Sequence, residues 1–200
     1  MARHFALTYD YRCPYARIAN DHVLTAIATS GDDYEVHFVP FSLTQAHLEV
    51  GETTVWEAPA QDSGIEALQA SVAIRDHQPD QFIAAHRALF EFRHAHAGNL
   101  RDRAALNSVL GSVGVDTDAI WNIVDGGEAL ATIEAEHTGY AHSHDVWGVP
   151  TFIFGDAAVF VRLLAPAEGD ADMARTTVDR ILDQMEWSLL NEFKHTSVPH

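Results

Sequence analysis

The apolar residues change their period twice along this chain of 200 residues, and that limits the folds open to it. Residues 4–11, HFALTYDY, alternate like a strand, with Phe5, Leu7 and Tyr9 on one face. Over 14–29 the spacing turns helical: Tyr15, Ile18, Ala19, His22, Val23, Ala26 and Ile27 form one stripe. Pro14 takes the first helical position, where a missing N–H costs nothing. Residues 34–43, YEVHFVPFSL, alternate again up to Pro40. The opening is therefore strand–helix–strand, and a connection of that length implies a parallel pair with a right-handed crossover.

From about 63 to 145 the period is helical throughout, in segments that begin at GIEAL, PDQFI, RDRAA, DTDAI and EALAT. Alternation then returns: VPTFIF (149–154) and VFVRLL (159–164) flank the turn GDAA and read as a hairpin. A last helix is expected over 168–193, capped by Asp170 or Asp172, with Val178, Ile181, Leu182, Met185 and Leu189 facing inward. Residues 46–62 read as loop. The order β-α-β, helices, β-β-α predicts an α/β fold in which one sheet is interrupted by helices. The expected division is a discontinuous core of residues 1–45 and 146–200 and an all-helical insertion of 46–145.

Charge and composition narrow the function. The net charge of −17 argues against a nucleic-acid partner, because phosphates must be met by Lys and Arg. No run of apolar residues is long enough to predict a membrane span. The N-terminal MARHFALTYDY has no long apolar stretch of the signal-peptide kind, so a cytoplasmic protein is expected. No glycine-rich phosphate loop implies a nucleotide cofactor. His94 and His96, and His137, His142 and His144, are off the three- or four-residue spacing that brings helical ligands together, so no metal site is expected.

Chemistry concentrates in TYDYRCPYARIAND, residues 8–21. It holds Cys13, the only cysteine. Cys13 stands between a strand end and a helix start, where ligands collect in open α/β sheets and where helix amides favour a thiolate. Its pKa is expected to fall below the free-thiol value, with Arg12 and Arg17 flanking it as accessory charges. Asp10 is a candidate proton acceptor, or simply the partner of a neighbouring arginine. His142 or His144, just before GVPT, is a candidate to face the cleft, and Trp147 to wall it.

CPYA after a strand resembles the C-P-x-C site of the thioredoxin superfamily, with Ala16 where the second cysteine would stand. WGVPTFIFGDAAVF (147–160) resembles that family's second signature, and VHFVPFSL its second strand. The helical stretch between them is similar to the DsbA-like branch, which includes kappa-class glutathione transferases and 2-hydroxychromene-2-carboxylate isomerases. The resemblance implies a thioredoxin-like fold, a cis bond before Pro150, and Val149 and Pro150 as substrate-holding residues. Pro14 and Tyr15 would shape the active-site turn. With no second sulfur, Cys13 cannot release a mixed disulfide by itself.

The expected activity is a monothiol oxidoreductase, with an external small thiol such as glutathione or mycothiol as co-substrate and no tightly bound cofactor. The alternatives are a thiol-dependent transferase or isomerase and a non-catalytic binding module. Members of the branch are often dimers, so the resemblance leaves a homodimer open.

Overall fold

The computed structural model describes residues 2–190. Strand β1 (Arg3–Tyr9) leads through a tight turn into helix α1 (Pro14–Ser30), and β2 (Tyr34–Pro40) follows. A one-turn helix α2 (Leu43–Ala46) and a 3-10 turn (Pro59–Gln61) punctuate the next stretch. Helices α3 (Ile65–His77), α4 (Pro79–His94), α5 (Arg103–Ser112), α6 (Thr117–Asp125) and α7 (Glu128–Ser143) come next. Strands β3 (Thr151–Phe154) and β4 (Ala157–Phe160) and helix α8 (Ala171–Glu186) finish the described chain.

The sheet runs β2-β1-β3-β4. β1 lies parallel to β2 and antiparallel to β3, which pairs antiparallel with β4. β1 is thus an inner strand, and every residue from Phe5 to Tyr9 is buried. The alternation seen in the sequence is real, but both faces are covered: Thr8, off the Phe5–Leu7–Tyr9 face, is as buried as Leu7. Helices α1 and α8 pack on each other, and α7 packs on β2. Helix α3 is buried almost all round among α4, α6 and α7, as its composition of Ala, Leu, Val and Ile allows.

Several boundaries differ from expectation. The hairpin closes on the two residues Gly155 and Asp156, with Gly155 at φ +58°, so β4 starts at Ala157 and ends at Phe160 rather than running over 159–164. β2 ends at Pro40, and Leu43 belongs to α2. Asp170 is the cap of α8, accepting from the Met173 amide at 2.9 Å. That helix ends at Glu186, and Leu189 is exposed rather than inward; the expected helix residues after 190 lie outside the described residues. The stretch 46–62 is no simple loop, because Val55 and Asp62 are fully buried.

A buried polar chain ties α3 and α4 to the segment around Cys13. Ser71 Oγ lies 2.9 Å from the Tyr9 hydroxyl and 2.6 Å from that of Tyr11. Tyr11 Oη lies 2.7 Å from His86 Nδ1, and His86 Nε2 lies 2.9 Å from Asn20 Oδ1. Asn20 Nδ2 then donates to the Ala16 carbonyl at 2.8 Å. Because that amide orientation presents Oδ1 to the ring, the neutral imidazole carries its proton on Nε2. Burial, helped by the neighbouring Arg87 charge, lowers the His86 pKa from 6.5 to about 3. Burial lowers that of His137, stacked on Phe41, to about 4.

Both histidines bind protons more readily in the unfolded chain. Their contribution to stability is therefore complete above pH 6.5 and is lost as pH falls toward about 3. Unfolding midpoints in urea should fall across that window, and the His86→Phe variant should flatten the fall. A midpoint independent of pH between those limits would contradict the assignment.

Candidate functional site

The site is built where β1 ends. The Cys13 amide donates to the Asp10 carbonyl at 3.0 Å, closing the turn. The Cys13 carbonyl accepts from the Arg17 amide at 3.1 Å, so Cys13 caps α1, with Pro14, Tyr15 and Ala16 as its first three residues. The Ala16 amide donates to Cys13 Sγ at 3.4 Å, the bond an oxygen would accept in an ordinary cap. On its other side Sγ lies 3.5 Å from the Val149 carbonyl. The Val149–Pro150 bond is cis.

Threonines hold that loop against β1. Thr8 Oγ1 accepts from the Thr151 amide at 2.8 Å and donates to the Gly148 carbonyl at 3.3 Å. Thr151 Oγ1 donates to the same carbonyl at 2.8 Å. The Thr8 side chain thus takes up backbone groups beside the strand pairing, which runs only through Ala6–Ile153 and Leu7–Phe152.

Cys13 is buried, 8% exposed as a whole residue. Burial pushes its pKa up. The amides of Ala16 and Tyr15 pull it down, Asp10 pushes it up, and the Arg162 charge pulls it down. The net direction is upward, opposite to the expected fall: desolvation of the thiolate outweighs the helix terminus. Arg12 gives no help, because its guanidinium points into the protein. Arg17 is exposed on the first turns of α1. The cation near the thiol is Arg162, whose Cζ lies 4.0 Å over the Tyr15 ring. Pro14 is exposed and Tyr15 half-buried.

Asp10 is not free to take a proton from the thiol. Its carboxylate accepts from the Arg12 backbone amide at 2.9 Å, from the Arg12 guanidinium and from the Leu43 amide at 3.0 Å. The same guanidinium reaches Asp62 at 3.0 Å and Thr44 Oγ1 at 2.7 Å, and Asp62 accepts from the Ser42 hydroxyl. Both carboxylates are fully buried. Burial acts to lower the Arg12 pKa, but the bonds to Asp10 and Asp62 outweigh it and hold it above its ordinary value. Gly64 closes the knot: a Cβ there would stand 2.9 Å from Arg12 Nε.

Trp147 is 64% exposed and packs against Phe160 with the rings tilted and centroids 4.5 Å apart, so it stands on the surface beside the cis-proline loop rather than in the core. His94 of α4 comes to the turn before Cys13, its Nε2 lying 2.9 Å from the Tyr11 carbonyl. His144 does not come to the site. Its Nε2 lies 3.3 Å from the Gly155 carbonyl, at the far end of β3 from Thr151, and His142 is exposed on α7. Among the described residues, no cluster of His, Cys, Asp or Glu is placed to hold a metal ion. Thr8, Asp62, Thr151 and Arg162 escape sequence reasoning, because their partners lie far away along the chain; Thr151, at least, stands next to GVP.

A cysteine capping the helix after the first strand, with a cis-proline loop against its sulfur and an antiparallel hairpin behind it, defines a thioredoxin-like protein. The chain matches the DSBA-like thioredoxin domain over residues 7–164, and it belongs to that family. No curated protein matches the chain. Its fold is similar to a thioredoxin-like oxidoreductase from Silicibacter pomeroyi, at 22% identity and a TM-score of 0.57 over 90% of this chain and 86% of that one. The catalytic domain of Proteus mirabilis ScsC aligns at 19% identity and a TM-score of 0.56 over 90% and 83%. A 2-hydroxychromene-2-carboxylate isomerase aligns at 12% identity and a TM-score of 0.62 over 94% and 100%. At these identities the likeness concerns the fold alone.

Proposed function

We propose that the protein is a monothiol oxidoreductase in which Cys13 exchanges with small disulfides and an external thiol completes the cycle. The observation that carries this is the position of Sγ, at the cap of α1 and 3.5 Å from the Val149 carbonyl, in a chain with no second cysteine. In the first step the Cys13 thiolate attacks one sulfur of a disulfide. A new S–S bond forms, the old one breaks, and the departing thiolate takes the electron pair. In the second step an external thiolate, of glutathione or mycothiol type, attacks the mixed disulfide and regenerates the Cys13 thiolate. Pro14 and Tyr15 shape the turn, and Val149, Pro150 and Trp147 border the approach to the sulfur. The reading implies a reducing, cytoplasmic setting that supplies the small thiol, and it requires no homodimer.

A second reading is favoured by the raised thiol pKa. A Cys13 that stays protonated would donate a hydrogen bond to the sulfur of a bound thiol, as a transferase or isomerase site requires, and would form no disulfide itself.

Ala16 separates the two. It is fully buried, and its amide already touches Sγ. Under the first reading, a small mixed disulfide labels the wild-type protein with a persistent adduct. The Ala16→Cys variant should discharge that adduct by attack of its second sulfur, leaving an intramolecular disulfide visible in the intact mass. A wild-type protein that takes no adduct, yet accelerates addition of a thiol to an electrophile, would favour the second reading.

A further inference from the structure

Thr8 of β1 is fully buried, like Leu7 and Tyr9 on either side of it. Valine has nearly the same shape and suits an enclosed strand position better, so the hydroxyl is the part that needs a reason. Its bonds supply one. The β1–β3 register ends at Leu7–Phe152, and one step further the Thr8 hydroxyl meets the loop of residues 148–151. It accepts from the Thr151 amide at 2.8 Å and donates to the Gly148 carbonyl at 3.3 Å. Those two partners bracket Val149. Two further bonds hold the loop to itself and to the hairpin: Thr151 Oγ1 donates to the Gly148 carbonyl at 2.8 Å, and the Val161 amide to the Pro150 carbonyl at 3.0 Å. Thr8 is the side chain that ties the loop to the strand leading into Cys13.

Cys13 Sγ stands between two opposed groups. The Ala16 amide, 3.4 Å away, is a donor and favours the thiolate. The Val149 carbonyl, 3.5 Å away, can only accept, so it favours S–H and repels the thiolate. The amide is fixed by helix α1, whereas the carbonyl is fixed by its loop. We propose that Thr8 is a positioning residue for Cys13, holding the Val149 carbonyl against the sulfur so that the resting thiol keeps its proton. The proposal rests on Cys13 being the reacting group and assigns to Thr8 the control of its readiness. The charged groups that face the sulfur are Asp10 and Arg162. Asp10 is bonded to Arg12 and to the Leu43 amide, Arg162 lies over Tyr15, and neither bonds Thr8.

Thr8→Val keeps the shape and removes both bonds. The rate of Cys13 alkylation by iodoacetamide, followed against pH, reads the consequence. In that reaction the thiolate attacks the CH₂ carbon, an S–C bond forms, and iodide leaves with the electron pair. The midpoint should fall by roughly half a pH unit to one unit, the worth of one hydrogen bond. At pH 7 the variant should react about two- to fourfold faster, because the added thiolate outweighs its lower nucleophilicity. Thr8→Ser keeps the hydroxyl and should keep the wild-type midpoint. Leu106→Ala, at a fully buried position in α5, should lower stability without moving the midpoint, which separates positioning from a general loosening of the fold. Should Thr8→Val fail to fold, Thr151→Val carries the test: it takes one of two hydroxyls from the Gly148 carbonyl and should lower the midpoint by less. A midpoint that stays or rises in these valine variants, or one that falls as far in Thr8→Ser, would overturn the proposal and leave the role of Cys13 standing. If iodoacetamide does not modify wild-type Cys13 at all, the proposed function fails, and this inference fails with it.

Discussion

Replacing Cys13 by serine should abolish disulfide exchange, with activity falling to the uncatalysed rate and no adduct forming with a small disulfide. The chain contains no other sulfur nucleophile, since its methionines cannot form a disulfide, so nothing can substitute. The serine hydroxyl can still cap the helix by accepting from the Ala16 amide, so the fold should be kept, and circular dichroism and the urea midpoint should stay near wild type. The same variant separates the two chemistries proposed above. A serine can donate a hydrogen bond to a bound thiolate, so a transferase or isomerase would retain activity. Residual exchange in Cys13→Ser would contradict the oxidoreductase reading.

The largest effect on stability is expected from Arg12→Ala. The guanidinium is the only cation reaching Asp10 and Asp62 among the described residues, and both carboxylates are fully buried. Removing it leaves two buried negative charges without a counter-charge, held only by neutral donors: the Arg12 and Leu43 amides for Asp10, and the Ser42 hydroxyl and Gly64 amide for Asp62. Breaking such a pair costs about 3–5 kcal/mol, which for a chain of this size lowers the melting temperature by roughly 10 °C. The damage should reach function, because Asp10 lies at the end of β1 and its carbonyl receives the Cys13 amide. Thermal unfolding followed by circular dichroism measures it. A loss under about 1 kcal/mol, the worth of a surface pair, would show that the knot is hydrated rather than buried.

The elements were legible because their periods differ. Alternation marked β1 and β2, and helical spacing marked α1 and α3 to α7. Pro14 marked the start of α1, and its neighbour Cys13 marked the chemical centre. Asp170 and Asp172 together marked the start of α8, and Asp170 is the one that caps it. The boundaries that slipped did so for local reasons. A two-residue turn at Gly155 shortened the hairpin, and Leu189 followed the helical stripe past the point where α8 stops.

The site was only partly legible. Cys13 could be placed at a helix N-terminus, and that effect alone lowers a thiol pKa. The depth of the sulfur depends on Val149, some 136 residues away, and burial reverses the sign. Arg12 reads as a neighbour of the thiol, yet its guanidinium is taken by Asp10 and by Asp62, which stands 50 residues on in a stretch without periodicity. Arg162 follows the hairpin and gains its meaning only by stacking on Tyr15. Histidines that invite a metal reading are used differently: His94 meets the Tyr11 carbonyl, and His137 packs on Phe41.

The most direct test of Cys13 as a working monothiol is its alkylation rate against pH, followed by intact mass after exposure to oxidised glutathione. The account predicts a rate that rises through alkaline pH, with a midpoint above the ordinary thiol value of 9.0, because burial pushes the thiol up. It also predicts a mass gain of one glutathionyl group that an external thiol removes. A protein that gains no adduct at any pH at which it stays folded would contradict the central claim.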